Sequence, residues 1–478
     1  MSVRLPFKQF KHKNTLKKIL FIGSVDPYSE EENRLRPLWP AYLAAYAEDK
    51  LGAGKLDYRF ATTKIGREIE NFRPDVVAIS SVTKNYGYAA EHARVAKQYG
   101  LPVIVGGIHI TTLPQTLTDD MDIGCIGEGE QTFYELIRLY LETGRFSPNG
   151  LSKIDGIVYH DNGRLVRTPA RTLLKSLDEL PHPKRALIGY GRRGYVYTAR
   201  GCLYKCVFCS CTHFWGGVRY LSPHRVLEEV EELIRHGVKV IRINDENFAS
   251  NKRRLKAISD LIVNKGLHRK ARFSCWCRAN NVSHEVVDAL KAMNIVSVKM
   301  GLESGCDRTL KYLKGGVTVR DNRNAINMLK DAGIQVNGDF IIGAPEETLE
   351  EIMETYNLIK NSRLDFIDVG ILTPLPGTPV WDYAVEKKIV SDNMDWRRLN
   401  FKFQHNLDDA LILSETLTRQ QLYRLFRNFQ RLRAIKAVKA VPHTPWLNEL
   451  SALILKRTGG KISRAVARAS NKFSARLE

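Results

Sequence analysis

Residues 200–210 read RGCLYKCVFCS, and how this run is read decides how the rest of the chain is read. It packs Cys202, Cys206 and Cys209, three of the chain's eight cysteines, into eight residues with three and then two positions between them. The 478-residue chain contains no stretch approaching the ~20 uninterrupted apolar residues of a membrane span. Its first residues, MSVRLPFKQFKHKNTLKK, are basic and lack the apolar centre of a secretory signal. A cytoplasmic, reducing compartment is therefore expected, where structural disulfides are rare, and metal ligation is the better reading of the triplet. A structural zinc site closes with four Cys or His ligands. The remaining cysteines supply no matching pair: Cys211 lies two positions past Cys209, and one residue separates Cys275 from Cys277. Three thiolates on an iron–sulfur cubane would instead leave one iron open to a substrate or cofactor.

The sequence downstream alternates β-branched strands with amphipathic helices, the pattern of repeated β/α units. YVYTAR leads into the cysteine run. VKVIRINDENF, ARFSCWCRANNV, VSVKMGLESG, IQVNGDFIIGAPEET and FIDVGILTPLPGTP follow as five more strands, most opening into polar or glycine-containing loops. In a parallel barrel, ligands gather at the C-terminal ends of the strands, so these tips are where a cofactor should sit. Alternate residues of a strand share a face, which puts Trp276 with Arg278 on one side and Cys275 with Cys277 on the other.

Cys-x3-Cys-x2-Cys with Phe208 before the last cysteine resembles the signature of the radical S-adenosylmethionine (radical SAM) superfamily. The resemblance extends over the order of strands from about Tyr195 to Asp395. It implies a [4Fe-4S] cluster held by Cys202, Cys206 and Cys209. The open iron would chelate S-adenosylmethionine and reduce it to a 5′-deoxyadenosyl radical. It further implies that Arg278 and Glu303 contact S-adenosylmethionine, that Asp245 and Glu246 handle its methionyl amino group, and that the loop at Gly343 approaches its adenine. A basic and an acidic side chain suit a zwitterion, since each pairs with one of its charges. Competing readings give Arg278 and Glu303 structural ion-pair or capping roles, make Trp276 a packing residue, and leave Cys211, Cys275, Cys277 and Cys306 as buried or incidental thiols.

Upstream, KKILFIGSVDP, RPDVVAISSVT, LPVIVGGIHIT and the start of IGCIGEGEQTF read as strands without alternation, separated by helices. A parallel sheet covered on both faces follows, doubly wound and with its ligand crevice at the strand ends. PDVVAISS, VIVGGIHIT and GEGEQTF resemble the cobalamin-binding domain that precedes many radical SAM cores. By that resemblance Ser80 and Ser81 flank the corrin, and Gly106, Gly107 and His109 accommodate its nucleotide tail. GSVDPYS carries Asp26 but lacks the histidine through which some cobalamin proteins ligate cobalt.

The predicted architecture is α/β: a Rossmann- or flavodoxin-like domain over 16–148, a hairpin and linker over 149–190 turning at Asn162-Gly163, a partial (β/α)6 barrel over 191–395, and a basic helical region over 396–478. The net charge of +21 concentrates in the termini. QLYRLFRNFQRLRAIKAVKA lines Leu422, Phe426, Phe429 and Leu432 along one stripe, and KISRAVARASNKFSARL repeats the theme with Ile462, Val466, Phe473 and Leu477. A basic amphipathic helix suits an anionic membrane surface, or packs on the barrel with a solvated face. The resemblance points to cobalamin-dependent methylation of an unactivated carbon in an organic substrate, with an electron donor such as flavodoxin or ferredoxin and no specific nucleic-acid partner. The alternatives are cobalamin-independent radical coupling, cyclisation or rearrangement of a lipid-like, membrane-associated substrate, and a membrane- or RNA-binding module with a redox-sensing cluster. The tRNA methylthiotransferases fit less well, because their first domain carries three further cluster cysteines where this chain has only Cys125.

Overall fold

The computed structural model describes residues 16–26, 37–403, 408 and 410–440. The chain divides into two compact units, Met1–Gly189 with Val385–Leu399, and Tyr190–Ala384 with Asn400–Glu478.

In the first unit β1 (Lys17–Gly23), β2 (Leu56–Ala61), β3 (Val76–Ser80), β4 (Val103–Gly106) and β5 (Ile123–Cys125) form a parallel sheet in the order β2-β1-β3-β4-β5. Ile19, Leu20, Phe21 and Ile22 are all fully buried, as a strand with both faces covered requires. Helices α1 (Trp39–Leu51), α2 (Ile65–Phe72), α3 (Tyr86–Gln98) and α4 (Gly129–Thr143) provide that cover. Phe21 stacks on Tyr58 at 5.7 Å and meets Trp39 edge-on at 5.5 Å. The chain reverses its winding between β1 and β3, which places the ligand crevice of such sheets at their C-terminal ends.

Three features differ from the sequence reading. LDYRFA and the helix after it add β2 and α2 at the sheet edge. LPVIVGGIHIT is a strand only to Gly106, and Ile108–Thr112 is a helical turn. The hairpin is not a free connector: β6 (Ile157–Asp161) pairs antiparallel with β5, and β7 (Arg164–Arg167) completes a seven-stranded sheet. Its Asn162-Gly163 turn has positive φ at both residues, +49° and +77°, the geometry that favours this dipeptide.

In the second unit β8 (Arg193–Val196), β9 (Val240–Ile243), β10 (Arg272–Cys277), β11 (Ile295–Glu303), β12 (Gln335–Ile342) and β13 (Phe366–Ile371) lie side by side in chain order, all parallel. Helices α5 (Pro223–Arg235), α6 (Lys252–Asn264), α7 (His284–Ala292), α8 (Asp307–Leu313), α9 (Val319–Asp331), α10 (Leu349–Asn361) and α11 (Pro379–Glu386) connect and follow them. This is the expected six-unit partial barrel. Side chains at Ile243, Cys275, Cys277, Val298, Met300, Phe340 and Val369 are buried on the alternate face.

Helix α12 (Arg419–Ala440) packs along β13. Its stripe of Leu422, Phe426, Phe429 and Leu432 is buried, and Lys436 Nζ donates to Ser362 O at 2.5 Å. The stripe is thus a packing face, and the membrane-surface expectation for this segment is corrected accordingly. The second basic segment lies outside the described residues. Among the described residues no helix is long and apolar enough to cross a membrane.

Candidate active site

The cysteine run begins where β8 ends. A short ladder between Ala199–Arg200 and Arg219–Tyr220 closes the base of the loop. Gly201 sits there at φ +91°, and a Cβ on it would meet Gly217 O at 1.8 Å, so only glycine fits. Cys202, Cys206 and Cys209 are half-buried within one loop, as is Phe208, and Cys209 N–H donates to Cys206 O at 3.1 Å. The loop is anchored to α8 by Val207 N–H to Leu313 O, 3.0 Å. A hydrogen bond from the Cys211 thiol lowers the pKa of the Cys209 thiol.

Arg278, 4% exposed at the tip of β10, stacks 3.9 Å over Tyr204 of the same loop. Its Nη1 lies 3.4 Å from Cys206 Sγ, its Nη2 donates to the carbonyls of Lys314 and Gly315, and its Nε donates to Asn280 Oδ1 at 3.1 Å. The guanidinium therefore ties the cysteine loop to the turn after α8, a different partner set from the cofactor carboxylate expected. Glu303 ends β11 at φ +60°, a backbone state uncommon outside glycine and enriched at functional sites. Its Oε1 pairs with the buried Lys314 Nζ at 3.2 Å, and Lys314 also donates to Gly301 O. A Cβ at Gly301 would meet Glu303 Oε1 at 2.2 Å, so that glycine makes room for the carboxylate.

Asp245 requires a correction. Its carboxylate accepts from Thr198 N at 2.6 Å, Ala199 N at 3.1 Å and the Thr198 hydroxyl, and the residue is 2% exposed. It braces the approach to the cysteine loop rather than offering oxygens to a cofactor amine. Glu246, next along, is exposed and lies within hydrogen-bonding reach of the Cys211 thiol. Gly343, at φ +84°, opens the loop after β12, and its N–H donates to Glu347 Oε2 at 2.6 Å.

In the first unit, the ends of β1, β3 and β4 converge. Ser24 N–H donates to Ser80 O and Ser81 N–H to Gly106 O, both at 3.1 Å. Gly107 stands at φ +103°, where a Cβ would lie 2.4 Å from Ser81 O. The serine and glycine pairs thus form one cradle. His109 does not line it. The ring is fully buried, stacked 3.7 Å from Tyr86 and edge-on to Trp396 at 4.6 Å, with Nε2 2.9 Å from Thr116 Oγ1. Burial pushes its pKa down to about 3, so it is a neutral core residue, and the nucleotide-tail contact expected of it is not one its position offers.

The Radical SAM superfamily model matches residues 196–359, and the B12 binding domain model matches residues 30–137. The chain is 32% identical over 406 residues to "uncharacterized methyltransferase PH0819" of Pyrococcus horikoshii, across 81% of this chain and 85% of that one. The chain belongs to the radical SAM superfamily. The anaerobic magnesium-protoporphyrin IX monomethyl ester cyclase of Cereibacter sphaeroides is 26% identical over 392 residues, 76% of this chain and 62% of the relative. Among solved structures, the radical SAM methyltransferase TsrM from Kitasatospora setae, with cobalamin and a [4Fe-4S] cluster bound, superposes with TM-score 0.71 at 16% identity, covering 96% of this chain and all of that one. The cobalamin-dependent radical SAM enzyme OxsB gives 0.69 at 19% identity, over 96% and 75% of the two chains. At these identities the likeness is one of fold.

The donor set of this radical SAM chain fits a cluster. Among the described residues no three Cys, His, Asp or Glu side chains converge on a single metal ion. Three cysteines on a cubane need not, because each ligates its own iron. Arg278 Nη1, 3.4 Å from Cys206 Sγ, would supply a hydrogen bond to sulfur of the kind by which proteins tune such clusters. Four contributors to the site were not singled out from sequence: Thr198, Tyr204, Lys314 and Glu347. Their roles arise from contacts across the strand tips, and no local motif announces them.

Glu347 carries a pH prediction. Burial pushes its carboxyl from 4.5 up to about 7; Oε2 accepts from the Gly343 and Ala344 amides, while Oε1 is buried without a partner. An acid whose folded pKa is raised binds a proton on folding, so its contribution to stability declines as pH rises from 4.5 through 7. The full shift corresponds to roughly 3 kcal/mol. Glu347→Gln should flatten the Tm-against-pH curve between those limits; an unchanged slope would remove Glu347 as its cause.

Proposed function

We propose that the chain catalyses cobalamin-dependent radical methyl transfer to an unactivated carbon of an organic substrate. The observation that carries this reading is the pairing, in one chain, of an Arg278-tied three-cysteine loop at the tip of a six-stranded parallel barrel with a Ser-Ser over Gly-Gly cradle at the switch point of a flavodoxin-like sheet. When bound, the cluster supplies the electron that releases a 5′-deoxyadenosyl radical from S-adenosylmethionine, and the corrinoid carries the methyl group. Cys202, Cys206 and Cys209 hold the cluster. Arg278 fixes the loop and donates toward Cys206 sulfur. Glu303, held by Lys314, presents a carboxylate at the next strand tip for the hydroxyl or amino donors of S-adenosylmethionine. Ser80, Ser81, Gly106 and Gly107 form a side-chain-poor surface that a corrin and its tail can approach closely.

The test is anaerobic reconstitution with iron, sulfide and hydroxocobalamin, followed by desalting and an absorbance spectrum. Near-stoichiometric corrinoid should be retained beside the cluster. Gly107→Ala should lose corrinoid and keep the cluster, because the added methyl collides with Ser81 O while the second unit is untouched. A cluster-loaded wild-type protein that retains no corrinoid would overturn methyl transfer in favour of cobalamin-independent radical chemistry.

A further inference from the structure

Below the cofactor-facing strand tips, the same face of the barrel carries a continuous polar ring. Arg278 reaches Cys206 from the face of β10 that also bears Trp276, two residues deeper, and Lys299 lies four residues below Glu303 on β11. At ~3.3 Å per residue, these side chains stand about 7–13 Å beneath the strand ends. Arg242 of β9 lies over the Trp276 ring at 5.3 Å and Lys299 over it at 4.4 Å. Lys299 Nζ pairs with Asp339 of β12 at 3.0 Å, Asp339 is in register with Asp368 of β13, and Lys402 Nζ pairs with Asp368 at 2.6 Å.

The ring is incompletely satisfied. Lys299 pairs with Asp339 and Lys402 with Asp368, whose carboxylate also feels the charge of Arg433, and Arg242 stands outside these pairs. Among the described residues its guanidinium makes no ion pair; it lies over the indole face, with the Tyr197 phenol close enough to feel its charge. Asp339 Oδ1 and Asp368 Oδ1 are both buried with no hydrogen-bond partner among the described residues. A structural ion-pair layer closes on itself, since buried polar atoms left unpaired are costly. This layer instead carries one cation outside its ion pairs and two unpaired acceptors, on the strand face that also bears Arg278.

We propose that this ring recognises a substrate bearing both a carboxylate and a protonated amine, an amino-acid-type zwitterion. Arg242 takes the carboxylate through its planar fork, and the free oxygens of Asp339 and Asp368 accept the ammonium N–H groups. The inference rests on the proposed radical methyl transfer, and it replaces the lipid-like substrate considered from sequence with a polar one.

The test uses the cluster- and corrinoid-loaded full chain with the twenty L-amino acids as probes. Each is compared with its methyl ester, which removes the carboxylate charge, and its N-acetyl form, which removes the amine charge. Calorimetry should find at least one amino acid that binds, with both derivatives weaker by about tenfold or more. Arg242→Gln should weaken that amino acid about tenfold more than it weakens the methyl ester. Asp339→Asn should show the same selectivity against the N-acetyl form. A purely structural role would weaken all three ligands alike. The ring is overturned if the loaded protein binds none of the twenty, or binds acid and ester equally, and methyl transfer then still stands. Binding with the stated pattern by a protein that releases no 5′-deoxyadenosine would support the ring and overturn the reaction.

Discussion

Replacing any one of Cys202, Cys206 or Cys209 by alanine is expected to abolish reductive cleavage of S-adenosylmethionine, with 5′-deoxyadenosine release falling more than about 100-fold. In the proposed assignment each thiolate would hold a separate iron of the cubane, so no remaining ligand could take over the vacant corner. The loop also has little freedom to supply a substitute, being fixed by Gly201 against Gly217 O, by Val207 to Leu313 and by Arg278 to Cys206. Broad iron–sulfur absorbance after anaerobic reconstitution reads the first consequence and chromatography of the nucleoside the second. Cys125→Ala is the control. Its thiol is buried in β5 of the other unit, with its pKa pushed up to about 12 by burial, so the cluster absorbance should survive. Loss of absorbance with Cys125 and its retention with any of the three loop cysteines would reverse the assignment.

The sequence carried the fold because its signals are local and periodic. Ile19–Ile22 and Val76–Ile79 are buried on both faces, and that is what an unbroken apolar strand means physically. Alternation is cleanest in β9 and β13, with Ile241 and Val369 on the buried face. Edge elements were harder. LDYRFA, half-exposed over most of its length, carries mixed polarity, and β2 went unrecognised for that reason. The site was legible where a motif is contiguous, as in the cysteine run, and failed where burial decides the outcome. His109 looked available beside two glycines, yet Trp396, nearly 290 residues further on, closes over it. The α12 stripe looked equally suited to a membrane and to a barrel. Only the packing along β13 separates the two, and no property of the helix itself does so.

Asp245 offers the sharpest contrast between a motif reading and a packing reading. If its carboxylate received the cofactor's amino group, Asp245→Ala would raise the requirement for S-adenosylmethionine and leave the fold unchanged. The geometry predicts the reverse. Both oxygens are occupied by the Thr198 and Ala199 amides and the Thr198 hydroxyl, and Arg254 braces the same turn by donating to Thr198 O at 2.7 Å and Leu221 O at 3.0 Å. Truncation strands two buried N–H donors and one hydroxyl, and leaves a buried guanidinium without its nearby carboxylate. The expected loss is about 3–5 kcal/mol of unfolding free energy, measured by denaturant titration of the apo protein. Thr198→Val removes only the hydroxyl's bond and should cost about 1–2 kcal/mol. Cluster occupancy should fall with stability in both variants, because Thr198 and Ala199 lead directly into Gly201 and Cys202. An Asp245→Ala protein of unchanged stability that needs more S-adenosylmethionine would return the residue to the cofactor, and would mean that the brace across Thr198 contributes little to holding the loop.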